Sequence, residues 1–377
     1  TYKDVFIPYA GTDRQTSNGL LRFLLSLSEL SPTKNSVIES KAFFSLSGKI
    51  KISKEIDPDF MVAVENDEPG VAEAAGFIEF LKGLDLVGVD GQAISIKDWV
   101  NIRLKHIESC GNFYYLVSKS TLAGSRAIQF RILNPDECLY LVTTDEQPKI
   151  MAISKYWTED YVARNAPKMY PVYPESITDE EGVERCVVHE KTAGGETRWY
   201  GRPKDIGSVM YQYLEYQNAD YLNKETEGRF TGKVFIEVEE ADTGSLITDE
   251  DSQERGFNSM ADELEFSFSN KSDDPMSIFF TTRPAGAGDA VVEQFAANTS
   301  ENWYKTINEE AERQILKTHN WPKKLLGLTE ATGLSTNEFL DIFKIVSATT
   351  IKAIQEGSAK CFNQTIIPLA AEYLGGN

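Results

Sequence analysis

Between Glu237 and Glu265 the chain carries eleven acidic residues: Glu237, Glu239, Glu240, Asp242, Asp249, Glu250, Asp251, Glu254, Asp262, Glu263 and Glu265. A single base, Arg255, stands among them. Carboxylates at this density could supply oxygen ligands to a hard cation, with Asp249-Glu250-Asp251 as the nearest thing to a ligand run. The run fails the calcium-loop pattern, which needs acids at alternating positions and a glycine at the sixth. Two carboxylates are also all that glycoside hydrolysis requires, but no pair is singled out in so acidic a chain. A solvated or partner-facing acidic surface, centred on Asp249, Glu250, Asp251 and Glu254, accounts for the run with the fewest assumptions.

Other chemistry is sparse. The three histidines, His106, His189 and His319, stand in no HExxH or similar metal spacing. Neither GxSxG nor GxxxxGK[ST] occurs, and Ala285-Gly286-Ala287-Gly288 lacks the third glycine of a dinucleotide loop. The four cysteines, Cys110, Cys138, Cys186 and Cys361, are far apart with no CxxC. They read as reduced thiols buried as small hydrophobes in an intracellular protein. No catalytic constellation emerges, and no metal or cofactor is expected.

The elements that would position these residues are mixed. Apolar periodicity predicts helices over 13–30, 34–46 and 68–83, with GKIKIS between the second and third alternating like a strand. Ser95 is placed to cap a helix through Trp99, Ile102 and His106, which runs into the β-prone Gly111-Asn112-Phe113-Tyr114-Tyr115. From 126 to 203 short strands alternate with turns. A helix carrying Ile206, Val209, Met210, Tyr213, Leu214 and Tyr221 follows, ending near Gly228. Then come a strand over 233–240, a helix over 251–266, a strand over 276–282 and a long helix over 289–319 bearing Phe295, Trp303, Ile307, Ala311 and Ile315. Ser335 and Glu338 form a capping-box pattern that opens a last long helix.

With 38 Lys+Arg against 58 Asp+Glu in 377 residues, the formal net charge is −20. That excludes a protein that grips nucleic-acid phosphates through clustered bases, and one that binds anionic membrane surfaces. A hydrophobic fraction of 41% and a charged fraction of 25% are ordinary for a folded protein. No apolar run reaches the ~18 residues that span a bilayer, and the first twenty residues lack a signal-peptide pattern.

Four segments together resemble the portal (connector) proteins of tailed bacteriophages, of the compact long-tailed-phage type. Gly111-Asn112-Phe113-Tyr114-Tyr115, entered directly from a helix, is similar to the family's GNAYW strand. Val187-Val188-His189-Glu190-Lys191 followed by Trp199-Tyr200-Gly201-Arg202-Pro203 resembles its V-x-H-x-K and YG-x-SP segments. Gly232-Lys233-Val234-Phe235 follows a helix as the family's G-x-L does. Thr318-His319-Asn320-Trp321-Pro322 with Leu325-Leu326-Gly327 resembles its hG-hydrophobic-PP-x-LLG. The four stand in the family's order over about 250 residues of a 377-residue chain. Trp321-Pro322 has one proline where the family has two, and Arg202 replaces a small residue.

The resemblance implies an α+β chain with a portal-like plan. A mixed α/β wing would cover 1–204, β-rich from 126. A first stem helix would run over 205–230, a small α/β clip insert over 231–286, and a second stem helix over 287–320. A tunnel-loop region at 321–335 would lead to wing and crown helices at 336–377. It implies a ring of about twelve copies at a capsid vertex of the virion, assembled in the host cytoplasm. Double-stranded DNA would pass through the channel. The partners would be the terminase large subunit, a head-completion or adaptor protein and the major capsid protein, with no membrane. Leu328, Thr329, Glu330, Ala331, Thr332, Gly333 and Leu334 would form the tunnel loop. Val234, Ile236 and Val238 would pair with Ile278 and Phe280 between copies, since an isolated strand pair is only marginally stable. The alternatives are another phage structural protein, of baseplate or head-completion type, and an acid-pair hydrolase or metal nuclease using the 237–265 acids.

Overall fold

The computed structural model describes residues 6, 7, 9, 19–46, 79–120, 126–141, 148–180, 182–192, 199–226, 233–239, 278–283, 292–295, 301–326 and 336–374. The predicted strand at 48–53, the predicted helix at 251–266 and most of the one at 68–83 lie outside these residues. The chain divides into two compact units. One is built from 1–213 and 311–377, and the other is the single continuous segment 214–310.

The larger unit holds two sheets. In the first, β1 (Phe6–Ile7), β5 (Cys138–Leu141), β6 (Ile150–Ile153) and β7 (Lys168–Pro171) run in that order, each antiparallel to the next. The second has the order β2 (Asp85–Val87), β4 (Ala127–Leu133), β3 (Asn112–Ser120), β9 (Glu184–Lys191), β8 (Ile177–Thr178). Only the β2–β4 pair in it is parallel.

Strand β3 is buried on both faces, which explains its unbroken aromatic run. Phe113, Tyr115 and Val117 point into one core with Trp99, Phe130, Ile132, Cys186 and Val188. Tyr114 points the other way, into a core with Tyr9, Leu21, Leu24, Leu139, Met151 and Val187. Helix α3 (Ile96–Cys110) covers the first core through Trp99. It opens with the predicted Ser95 cap, and Asp98 completes a capping box that satisfies two otherwise orphaned N–H groups. It closes on Gly111 in the left-handed region at φ 75°.

Helices α1 (Gly19–Leu30) and α2 (Pro32–Leu46) follow the predicted periodicity. The region read as purely β also holds a short helix, α4 (Glu159–Arg164), capped by Thr158. Beyond it, helix α5 (Val209–Thr226) runs toward the smaller unit and α6 (Glu301–Thr318) returns from it. The helix expected from 289 therefore starts twelve residues later. Residues Val292–Phe295 form strand β12 instead. They pair with β10 (Lys233–Glu239), which gives their backbone groups the partners that local propensity did not.

The predicted final helix extends further than expected. Helices α7 (Thr336–Val346), α8 (Lys352–Cys361) and α9 (Ile367–Leu374) are joined by two π turns, Ser347–Ile351 and Phe362–Ile366. In the first turn the Lys352 N–H reaches the Ser347 carbonyl. Each π turn absorbs one residue, so Val346 and Ile351, five apart, both reach buried positions. The same helical run can thus serve a small core with Val37, Leu316, Trp321 and Leu325, and then the Trp99 core on the five-stranded sheet through Cys361, Ile366 and Leu369.

Candidate functional site

The smaller unit holds β10, β11 (Ile278–Arg283) and β12 in the sheet order β11-β10-β12. Strand β10 runs parallel to β11, with Val234 opposite Ile278, Ile236 opposite Phe280 and Val238 opposite Thr282. The strands expected to pair between copies are thus neighbours within one chain, and β12 occupies the other edge of β10. The helices that precede and follow this sheet in the chain, 209–226 and 301–318, are linked within the same unit by a 2.8 Å hydrogen bond from Asn218 Nδ2 to Asn308 Oδ1. The acidic residues Asp249, Glu250, Asp251 and Glu254 and the loop Leu328, Thr329, Glu330, Ala331, Thr332, Gly333 and Leu334 lie outside the described residues. Among the described residues no group of three or more His, Cys, Asp and Glu is placed to hold a metal ion. All four cysteines are free and buried.

Residues from three of the four motif segments converge at two buried polar junctions in the larger unit. The first is built around Asn112, which is fully buried at the start of β3. Its Nδ2 donates to the carbonyls of Cys110 (2.8 Å) and Gly201 (3.0 Å). Its Oδ1 accepts from the Gly201 N–H (2.7 Å) and faces His189 Nε2 (3.0 Å). Those two acceptors fix the amide orientation, so Nε2 of His189 carries the proton and Nδ1 accepts from the Tyr140 hydroxyl at 2.7 Å. His189 also stacks on Tyr114 at 4.3 Å. Tyr9 donates to the same Cys110 and Gly201 carbonyls, both at 2.9 Å. The Thr192 N–H donates to the Gly111 carbonyl at 2.9 Å. The Gly-Asn and Tyr-Gly segments, about ninety residues apart, are thus one hydrogen-bonded unit.

Burial and the nearby Lys191 charge push the His189 pKa down to about 3, and burial pushes His106 down to about 4. Both rings stay neutral in the folded protein while an unfolded chain would protonate them. Their contribution to stability is fully present above the ordinary histidine value near 6.5 and is lost as pH falls toward those depressed values. Each should remove about 1.4 kcal/mol per pH unit across that window. In a histidine NMR titration, His189 should keep a neutral-imidazole signal from pH 8 to 5. A midpoint above 5 would contradict this.

The second junction gathers the roots of α5 and α6. Asp205, just before α5, is fully buried. Its Oδ2 lies 2.9 Å from Lys34 Nζ, 2.7 Å from Gln212 Nε2 and 3.2 Å from His319 Nε2. His319, just past α6, presents Nδ1 to Lys41 Nζ (3.2 Å) and to Glu108 Oε2 (3.3 Å), while Lys41 and Glu108 pair at 2.5 Å. Thr318 Oγ1 donates to Ser208 Oγ at 2.9 Å, joining the two roots directly. Two ammonium groups thus stand against two carboxylates, with the His319 ring between Asp205 and Glu108. Burial alone would raise the Glu108 pKa, but the Lys41 charge and the His319 hydrogen bond outweigh it and hold the group well below the usual carboxylate range. Asp205 is also lowered: burial is opposed by the His319 hydrogen bond and the Lys34 charge.

Reading the sequence missed the two lysines. The available signal was spacing: Lys34, Val37, Ile38, Lys41, Ala42 and Ser45 lie on one buried face of α2.

No family model matches the chain, and no curated protein sequence matches it. Solved structures similar to it include a chain of the virion of a native gene transfer agent particle, with a TM-score of 0.49 and 12% identity over 94% of this chain and 82% of that one. A second comes from the neck of the native particle computed with C12 symmetry (TM-score 0.47, 13% identity), and a third from the neck of the empty particle computed with C6 symmetry (TM-score 0.46, 12% identity). Both cover 94% of this chain and 82% of the other. Likeness at this level leaves function to be read from the chain's own residues. The chain is of mixed α and β structure, and no described helix is long and apolar enough to cross a membrane.

Proposed function

We propose that the chain is a phage portal protein, a structural ring through which double-stranded DNA is packaged and ejected. The observation that carries this reading is the way 214–310 is inserted. One continuous unit is entered through α5 and left through α6, and the roots of both helices meet in a single buried junction, Lys34-Asp205-His319-Glu108-Lys41. A stem with a clip between its helices would be connected in this way. Three of the four motif segments contribute residues to these junctions: Asn112, His189 with Gly201, and Thr318 with His319.

On this reading the chain's work is mechanical and no catalytic step is assigned to it. Within unit 214–310, residues 231–286 are the clip, which docks the packaging motor and later the head-completion protein, with Asp249, Glu250, Asp251 and Glu254 offered to a basic partner surface. Pairing between copies falls to the outer edges of β11 and β12, because both edges of β10 are taken. Residues 328–334 are the tunnel loop. A net charge of −20 per copy suits a conduit. A negatively charged wall repels DNA over the ~8 Å that physiological salt allows, and discourages sticking.

Negative-stain electron microscopy of the purified chain tests the reading. Closed rings with a central hole, of about twelve copies, are expected. Monomers, compact dimers or open filaments as the only species would overturn it.

A further inference from the structure

Helix α7 carries more apolar surface than its own core uses. Phe339, Ile342, Phe343 and Val346 turn to one face and pack with Val37, Leu316, Trp321 and Leu325. Leu340 and Ile345 remain exposed, at 45% and 65%. At about 100° per residue these two lie on opposite flanks of the buried face. Single exposed apolar residues need no explanation, but these flanks also differ in charge. Lys344 sits one turn from Leu340, whereas Asp341 and Glu338 lie one and two turns from Ile345. The present partners of these charges, Lys344 with Asp341 and Glu338 with Lys324, are mostly exposed pairs. Such pairs are worth about 0–1 kcal/mol and exchange cheaply.

We propose that α7 is a link in a head-to-tail chain of copies. The Leu340/Lys344 flank of one copy packs on the Ile345/Asp341/Glu338 flank of the next. A two-fold dimer would cover one flank and meet like charge with like. Two apolar flanks of opposite charge call for a neighbour on each side, which is the heterologous contact that closes a ring. The inference rests on the ring reading and adds to it the surface that mates.

The test uses the full chain carrying Leu340→Cys and Ile345→Cys together, treated with a short bis-maleimide. The four native cysteines are buried, and the unsubstituted chain controls for their reaction. A ladder climbing one protomer per rung is expected on a denaturing gel. Each single variant should yield no product above monomer, and adding Lys344→Glu should reduce the ladder several-fold at low salt. Rings seen by microscopy that give no ladder, or a ladder that stops at dimer, would overturn the inference and leave the ring reading standing. If no ring forms, both fall.

Discussion

Gly201→Ala should destabilise the larger unit by about 4 kcal/mol or more, in the range reached only by a few named mechanisms. A Cβ built at Gly201 would stand 2.1 Å from the Gly111 carbonyl oxygen and 2.8 Å from the Thr192 N. These are backbone atoms, held by the Asn112 amide and by the Thr192-to-Gly111 hydrogen bond, so no side chain can swing aside. Relief would require separating two backbone segments and leaving buried N–H and C=O groups unpaired, each at about 1–3 kcal/mol. Gly111→Ala should be similarly severe: its Cβ would meet the Arg202 backbone at 2.4 Å from a left-handed φ of 75°. Two controls separate crowding from backbone strain. Gly182 has φ 78° but open space, so its alanine variant should lose only about 1–2 kcal/mol. Gly207 has open space and no positive φ, so its variant should be near neutral or slightly stabilised. Urea midpoints for the four variants check this. A Gly201→Ala midpoint equal to that of Gly207→Ala would refute the backbone contact.

The contrast shows what a reader of the sequence could and could not see. Gly111 could be placed, because a helix with a capped start had to end before a run of aromatic, β-prone residues. The need for glycine at 201 could not be, because the atoms that forbid a side chain there come from residue 111, about ninety positions away. The same holds for β12. Val292–Phe295 carry too few residues to show a strand's alternation, and β10's open edge is invisible until the fold is formed. The long elements were legible because burial of a face leaves a period in the chain, and α3, β3, α5 and β10 all stand near their expected places. Helix α2 was placed too, but Lys34 and Lys41 were not recognised as buried, since lysine is ordinarily the least buried of residues unless paired. The candidate site was the least legible part. The acidic run drew attention by density alone, whereas the residues that join the roots of α5 and α6 are charges and one imidazole spread over α2, α3 and the turns beside α5 and α6.

The same buried charges give the second large effect. Lys34→Met should destabilise the larger unit by about 3–5 kcal/mol, because it leaves the Asp205 carboxylate buried without its ammonium partner. Asp205→Asn should cost a similar amount by stranding Lys34. The double variant removes both charges, so it should lose less than the sum of the singles, with a coupling of about 2–3 kcal/mol. Strict additivity in urea unfolding would mean the two groups do not depend on each other. Acid supplies an independent readout. Asp205 and Glu108 both titrate below their ordinary values when folded, so an unfolded chain takes up their protons first. Their stabilisation is whole above the ordinary carboxylate values, near 4, and is lost as pH falls through that range toward the depressed folded values. The histidine effect at His189 begins higher, near 6.5, so the two can be separated on one pH series. Asp205→Asn should flatten the slope below pH 4.5 and leave the slope between 6.5 and 4.5 unchanged. An unaltered acid limb in that variant would show that the charges at the roots of α5 and α6 hold nothing together.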